Sequence, residues 1–260
     1  MTGWELFKAT WDFEPSVVMG SGLLLGGYLT AVRCRPARTT YLFVAGVGVM
    51  LFALVSPLDG LGDDYLFSAH MLQHILLDFV APPLFVLGFP EDMARRLLLW
   101  RPAAATERIL GRPVVAWFLG IGTLWLWHLP VLYDATLASE AIHIFEHLTF
   151  LVTGTVFWWP VFRPPAEQRM PPLASVVYLG LGAVANALLG IIFTFSSTPF
   201  YSGYDHPPDG SGALALIRDR WGISQIADQQ LGGAFMWVIG SVVFLWAIIA
   251  RVGRWYREEG

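Results

Sequence analysis

Four of the six histidines in this 260-residue chain form two His-x-x-x-His pairs inside apolar segments: His70 with His74, and His143 with His147. Residues at i and i+4 share one helix face, so each pair aims two imidazoles at a common point. Two such helices side by side offer four nitrogens to one metal ion. The remaining two, His128 at the end of Trp125-Leu-Trp-His and His206 in a Tyr-Asp-His-Pro-Pro stretch, read by themselves as an interfacial side chain and a solvated loop residue. The pairs ask for more, because an imidazole in an apolar helix turn leaves a ring nitrogen unsatisfied unless a partner or an ion meets it.

Neighbouring residues could complete such a site. Met71 lies three residues before His74 on the same side of the helix, and its thioether suits a soft ion such as Cu(I), with simple packing as the competing reading. Glu146 follows His143 by three residues, placed to accept an imidazole N–H and orient the ring. Asp78 lies one turn beyond His74, deeper in the apolar run, where a carboxyl must be neutral or hydrogen-bonded; its role is open. Asp228 begins the last apolar segment and is expected to face the histidines from their outer end, with Met236 two turns further along. Gly232 and Gly233 between them permit close helix approach, and Gly22 with Gly26 form a small-xxx-small pattern that would do the same for the first segment. The twelve tryptophans, among them Trp125, Trp127, Trp158, Trp159 and Trp237, gather at segment ends as an ordinary aromatic belt.

The elements that must position these residues follow from composition. The chain is 55% hydrophobic and 14% charged, with a mean hydropathy of +0.56, values typical of a protein whose solvent is lipid. Seven apolar stretches approach bilayer length, at 16–32, 40–56, 67–89, 114–130, 141–162, 173–196 and 228–250, which predicts an all-α integral membrane bundle of seven transmembrane helices in a single domain, 1–260. Pro82 and Pro83 should bend the third near mid-membrane. The segments after spans one, three, five and seven carry 13 of the 16 basic residues, leaving Lys8, Arg218 and Arg220 on the opposite side. This asymmetry places the N-terminus outside and the C-terminus in the cytoplasm of a membrane that the chain crosses several times. The histidines then lie on or near the outer face, where the loops carry Asp59, Asp63, Asp64, Asp134 and Glu140. The formal charge of -4 and the dispersed arginines leave no footprint for nucleic acid. Cys34 is the only cysteine, so metal ligands must be nitrogen, oxygen or thioether. Glu5, Asp12 and Glu14, with only Lys8, do not make the basic start of a cleavable signal, and the first span is expected to stay in the mature protein.

Ser68-Ala-His-Met-Leu-Gln-His74 with Ala81-Pro-Pro83, Trp127-His-Leu-Pro130 with Tyr133-Asp134, His143-Ile-Phe-Glu-His147 with Phe157-Trp-Trp-Pro160, and Asp228-Gln-Gln-Leu-Gly-Gly with Met236-Trp237 are four separated motifs that together resemble the seven-helix cytochrome c oxidase assembly factor CtaG family, which implies a multi-pass protein of the bacterial plasma (inner) membrane. The resemblance implies a non-enzymatic membrane factor that binds copper and delivers it to the copper centre of an oxidase subunit under assembly, with a copper donor protein as a further partner. By motif position it carries over His70, His74, His128, His143 and His147 as candidate ligands, supported by Met71, Asp134, Glu146, Asp228 and Met236. Asp78 and His206 fall outside the pattern. Two other classes compete: a membrane hydrolase with histidine-bound zinc and a water activated beside Asp78 or Glu146, and a heme-binding electron carrier with axial histidines from two helices.

Overall fold

Each of the seven apolar stretches forms a helix in the computed structural model, which describes residues 1–205, 207, 209 and 212–259, with side chains to residue 257. They are α1 (Pro15–Ala31), α2 (Arg38–Val55), α3 (Phe67–Gly88), α4 (Pro113–Trp127), α5 (Glu140–Phe162), α6 (Pro172–Phe195) and α7 (Gln225–Arg257). No strand occurs among the described residues. α1, α4 and α6 each begin on a proline, at the position where a missing N–H leaves no helical bond unmade. Five helices, α2, α3, α5, α6 and α7, are long and apolar enough to cross a membrane. α4 reaches that length only together with the preceding helix Arg101–Leu110, from which it bends by 74°, making six at most. The 17 residues of α1 rise about 25 Å, short of a hydrocarbon core of about 30 Å.

α3 is the hub. Two thirds of its most apolar stretch is buried, against 39% or less in the other four long helices, because α2, α5 and α7 pack around it while α4 and α6 close the far side. α7 approaches closely because it lacks side chains where it crosses its neighbours. A Cβ on Gly232 would meet the Phe67 ring, and one on Gly233 would lie 2.6 Å from the Gly190 carbonyl oxygen of α6. The expectation for these two glycines therefore holds. That for Gly22 and Gly26 does not: a Cβ at either meets nothing within 4 Å, since no described helix packs on that face of α1.

The expected disturbance at Pro82–Pro83 takes the form of a π-helical segment, Ile75–Val80, between the α-helical turns Phe67–His74 and Ala81–Gly88. Whether the Asp78 carbonyl looks for a donor four or five residues ahead, it finds a proline without an N–H. Trp158 of α5 supplies the bond instead, donating from Nε1 at 3.2 Å. A second π segment, Phe235–Ile239, interrupts α7, and there the buried Asn186 of α6 donates to the Met236 carbonyl at 2.8 Å. The Asp78 carbonyl is thus met by a side chain from a neighbouring helix, as an apolar surrounding requires, whereas the Met236 carbonyl takes the Asn186 amide in addition to the Gly240 N–H.

Candidate metal centre

The α-helical start of α3 presents His70 and His74, α5 presents His143, Glu146 and His147, and His128 caps the end of α4. All five histidines meet at one end of the bundle and are buried, His70 completely. His206 lies outside the described residues.

The two pairs do not contribute equally to one point. Donor atoms of His70, His74, Glu146 and His147 lie within 4.8 Å of one another, whereas His143 groups with His70 and Asp63. Glu146 also departs from its expected role. Its Oε2 lies 3.6 Å from Nε2 of both His70 and His74, across the helix interface, and does not serve His143. His70 Nε2 and His74 Nε2 are 2.6 Å apart, a spacing that one shared proton satisfies. Holding one ion tetrahedrally would require them to part to about 3.3 Å, given metal–nitrogen bonds of about 2.0–2.1 Å. Buried polar atoms left without a hydrogen bond in the protein concentrate here: His74 Nδ1, both Glu146 oxygens, His147 Nε2 and His143 Nε2. Both Glu146 oxygens and His147 Nε2, orphaned beside the ring nitrogens of His70 and His74, fit a cation, which satisfies several at once.

His128 stands beside this group, its ring centroid 5.8 Å from that of His74. Its Nδ1 lies 2.6 Å from the Leu124 carbonyl, which can only accept, so Nδ1 carries the proton and Nε2 a lone pair. That lone pair faces the Met71 sulfur at 3.2 Å. An imidazole nitrogen and a fully buried thioether so placed form a soft donor pair.

Three other expected contributors lie elsewhere. Asp228 does not face the imidazoles: its carboxylate accepts from the backbone N–H of Phe67 at 2.7 Å and of Ser68 at 3.2 Å, and from the Ser68 hydroxyl at 2.5 Å. Those are unsatisfied donors of the first turn of α3, so Asp228 fixes the helix that carries His70 and His74. Asp134 is spent on Ser202 and the Gly203 N–H in the loop after α6. Met236 is packed in the apolar core.

The remaining supports gave weak sequence signals. The short helix Pro57–Asp64 crosses the start of α3 at Gly62, where a Cβ would lie 2.9 Å from the backbone of His70. Tyr204 donates to the Gly62 carbonyl at 2.7 Å, and its hydroxyl lies 3.0 Å from that of Tyr133 and 3.4 Å from His70 Nδ1. Tyr201 stacks on Tyr133 and donates to the His128 carbonyl at 3.0 Å. Gln73, within the first histidine motif, donates to the Ala53 carbonyl at 3.1 Å and to Asp59 at 2.5 Å. Burial pushes the Asp59 carboxyl up to about 7; nearby Asp63 adds to the rise, while His143 and the Gln73 bond oppose it. A cavity of about 610 Å³ reaches inward past Asp59 and Asp63 to His143 and His147.

Comparison with known proteins adds to this geometry. The family model described as cytochrome c oxidase caa3 assembly factor matches residues 25–258. An uncharacterized protein of Mycobacterium leprae is 26% identical over 97% of this chain and 40% of its own length. Uncharacterized proteins of Mycobacterium bovis and Mycobacterium tuberculosis are each 28% identical over 96% of this chain and 40% of theirs. The chain thus spans about two fifths of the length of the curated relatives it matches. No solved structure matches.

Proposed function

Because the chain belongs to the cytochrome c oxidase caa3 assembly factor family, we propose that it binds copper at the outer-face histidine cluster and delivers it to the copper centre of an oxidase subunit under assembly. The observation that carries this reading is the convergence of His70, His74, His147 and Glu146 donor atoms within 4.8 Å, with several of them lacking any hydrogen bond in the protein. Imidazole ligands flanked by the Met71–His128 thioether pair suit copper, which also heads the affinity order of the divalent ions. Copper is here cargo. An exchangeable site between helices, reachable from a cavity, suits delivery better than a closed structural site.

The reading includes seven bilayer crossings in the plasma membrane, with α1 and α4 as the short ones, the N-terminus outside and the basic loops in the cytoplasm. The partners are then the oxidase subunit, met laterally within the membrane, and a copper donor on the outer side. Donor atoms this close, on imidazoles packed edge to face, favour a single ion over a macrocycle.

The test is the copper-to-heme ratio of the oxidase isolated from a strain lacking this chain. Hemes and subunits should be present, the copper beside the heme missing and activity lost, with partial rescue by excess copper as mass action replaces delivery. A normal ratio with normal activity would return a zinc-dependent membrane hydrolase to first place.

A further inference from the structure

We propose that Asp63 and His143 form, with His70, a separate outer position where an arriving copper ion is first held before it moves inward to His74, Glu146 and His147. This rests on the copper reading above and assigns the route by which the site is loaded. The three side chains bring donor atoms within 4.8 Å of one another, and His143 Nε2 lies 3.3 Å from the Asp63 carboxylate without making a hydrogen bond. His143 is only 8% exposed, so this nitrogen sits buried beside the Asp63 carboxylate, not hydrogen-bonded to it, and is aimed into the group.

The position lies where two hollows meet. Asp63 and His143 line both the 610 Å³ cavity and a smaller recess of about 170 Å³, and Asp12, Glu14 and Glu140 add carboxylates to the lining of the larger one. A cleft of one charge sign raises the local concentration of a cation and its rate of arrival. The ligand set then changes with depth. The outer group includes a carboxylate that is one-third exposed, able to take an ion that still holds water, whereas the inner group is three imidazoles and a fully buried carboxylate. Stripping water in two steps avoids a single large desolvation barrier. His70 belongs to both groups, its ring centroid 5.1 Å from that of His143 and 4.2 Å from that of His74. An ion therefore passes from one group to the other without losing every ligand, and the two positions are occupied in turn.

The test is stopped-flow uptake of Cu²⁺ from copper chloride by the full chain in detergent, read by tryptophan quenching, with bound metal measured after dialysis. Wild type should show a fast phase whose rate rises with copper concentration, followed by a concentration-independent transfer phase, and one retained equivalent. Asp63→Asn should slow the fast phase about tenfold, His143→Gln should do likewise, and Asp205→Asn, which removes the same charge from an exposed loop, should leave it unchanged. His74→Gln with His147→Gln should keep the fast phase and lose the slow one. Single-phase uptake by wild type, with Asp63→Asn and His143→Gln loading at the wild-type rate, would overturn the outer position while leaving the inner site intact. A wild-type chain that takes up no copper would sink the copper reading itself, and the outer position with it.

Discussion

Replacing Glu146 with glutamine should move copper affinity and metal-free stability in opposite directions. The carboxylate is fully buried, has no hydrogen bond to either oxygen, and lies 3.6 Å from two imidazole nitrogens. In the metal-free protein an unpaired buried group of this kind costs about 1–3 kcal/mol, and more while it is charged. The glutamine amide keeps the shape, carries no charge and can donate to those nitrogens, so Glu146→Gln should raise the thermal midpoint of the metal-free chain. With a singly charged ion at the position of the imidazole nitrogens, the carboxylate contributes about 4–5 kcal/mol at an effective dielectric of about 20. The amide oxygen recovers part of this as a neutral ligand, leaving an expected loss of about a hundred- to a thousandfold in copper affinity. The assay is competition with a chromophoric chelator, paired with thermal unfolding of the metal-free protein in the same micelles. Unchanged affinity, or a lowered metal-free midpoint, would refute the assignment of Glu146 as the charge that holds the ion.

The Asp59 carboxyl, raised by burial from its ordinary 3.8 to about 7, binds more protons folded than unfolded. Its contribution to stability is therefore fully present below about pH 4 and is lost as pH rises through 7, so Asp59→Asn should stabilise the metal-free chain at pH 8 by about 2–4 kcal/mol and change little at pH 4. Unfolding midpoints at the two values check the sign. Gly233→Ala should be destabilising by about 1–3 kcal/mol, because its Cβ would lie 2.6 Å from backbone atoms of α6, whereas Gly26→Ala should fall within about 0.5 kcal/mol of wild type; denaturation of both variants in one detergent compares them. The exposed Cys34 should react with a membrane-impermeant thiol reagent only after the membrane is opened, and labelling of intact cells would reverse the proposed orientation.

Periodicity exposed the histidine geometry because i, i+4 spacing survives any packing arrangement: the sequence places two imidazoles per face, and helices α3 and α5 bring those faces together. Spacing along one helix could not reveal which partner a side chain finds across an interface. Glu146 reads as a companion of His143 by proximity in sequence, yet it reaches His70 and His74 because α5 packs against α3 on that side. Asp228 reads as a ligand candidate by its motif, yet its oxygens satisfy backbone donors that begin α3, a role set by a contact 160 residues apart. Asp63 drew notice only as loop charge, since nothing in Gly-Asp-Asp-Tyr announces that Gly62 lets its helix settle against His70. Glycine patterning was informative in α7 and uninformative in α1, because small residues permit close approach without supplying a neighbour. The number of membrane crossings was the least legible feature, for α1 and α4 form helices as expected but are short.

The π segment Ile75–Val80 also bears on how this chain can change in length. A turn closed five residues apart takes in one residue more than a turn closed four apart, so the segment holds a surplus residue in the middle of the hub helix. Deleting one residue there would return the turn to ordinary α geometry while His70 and His74 above, and Pro82 to Val86 below, kept their faces toward the same neighbours. The same deletion two turns earlier, among Phe67–His74, would swing part of the motif by about 100° around the helix axis and separate the imidazoles. Loss of one residue from this helix is therefore expected to be tolerated within Ile75–Val80 and disruptive among Phe67–His74, so the π segment marks where the hub helix can shorten without moving its histidines.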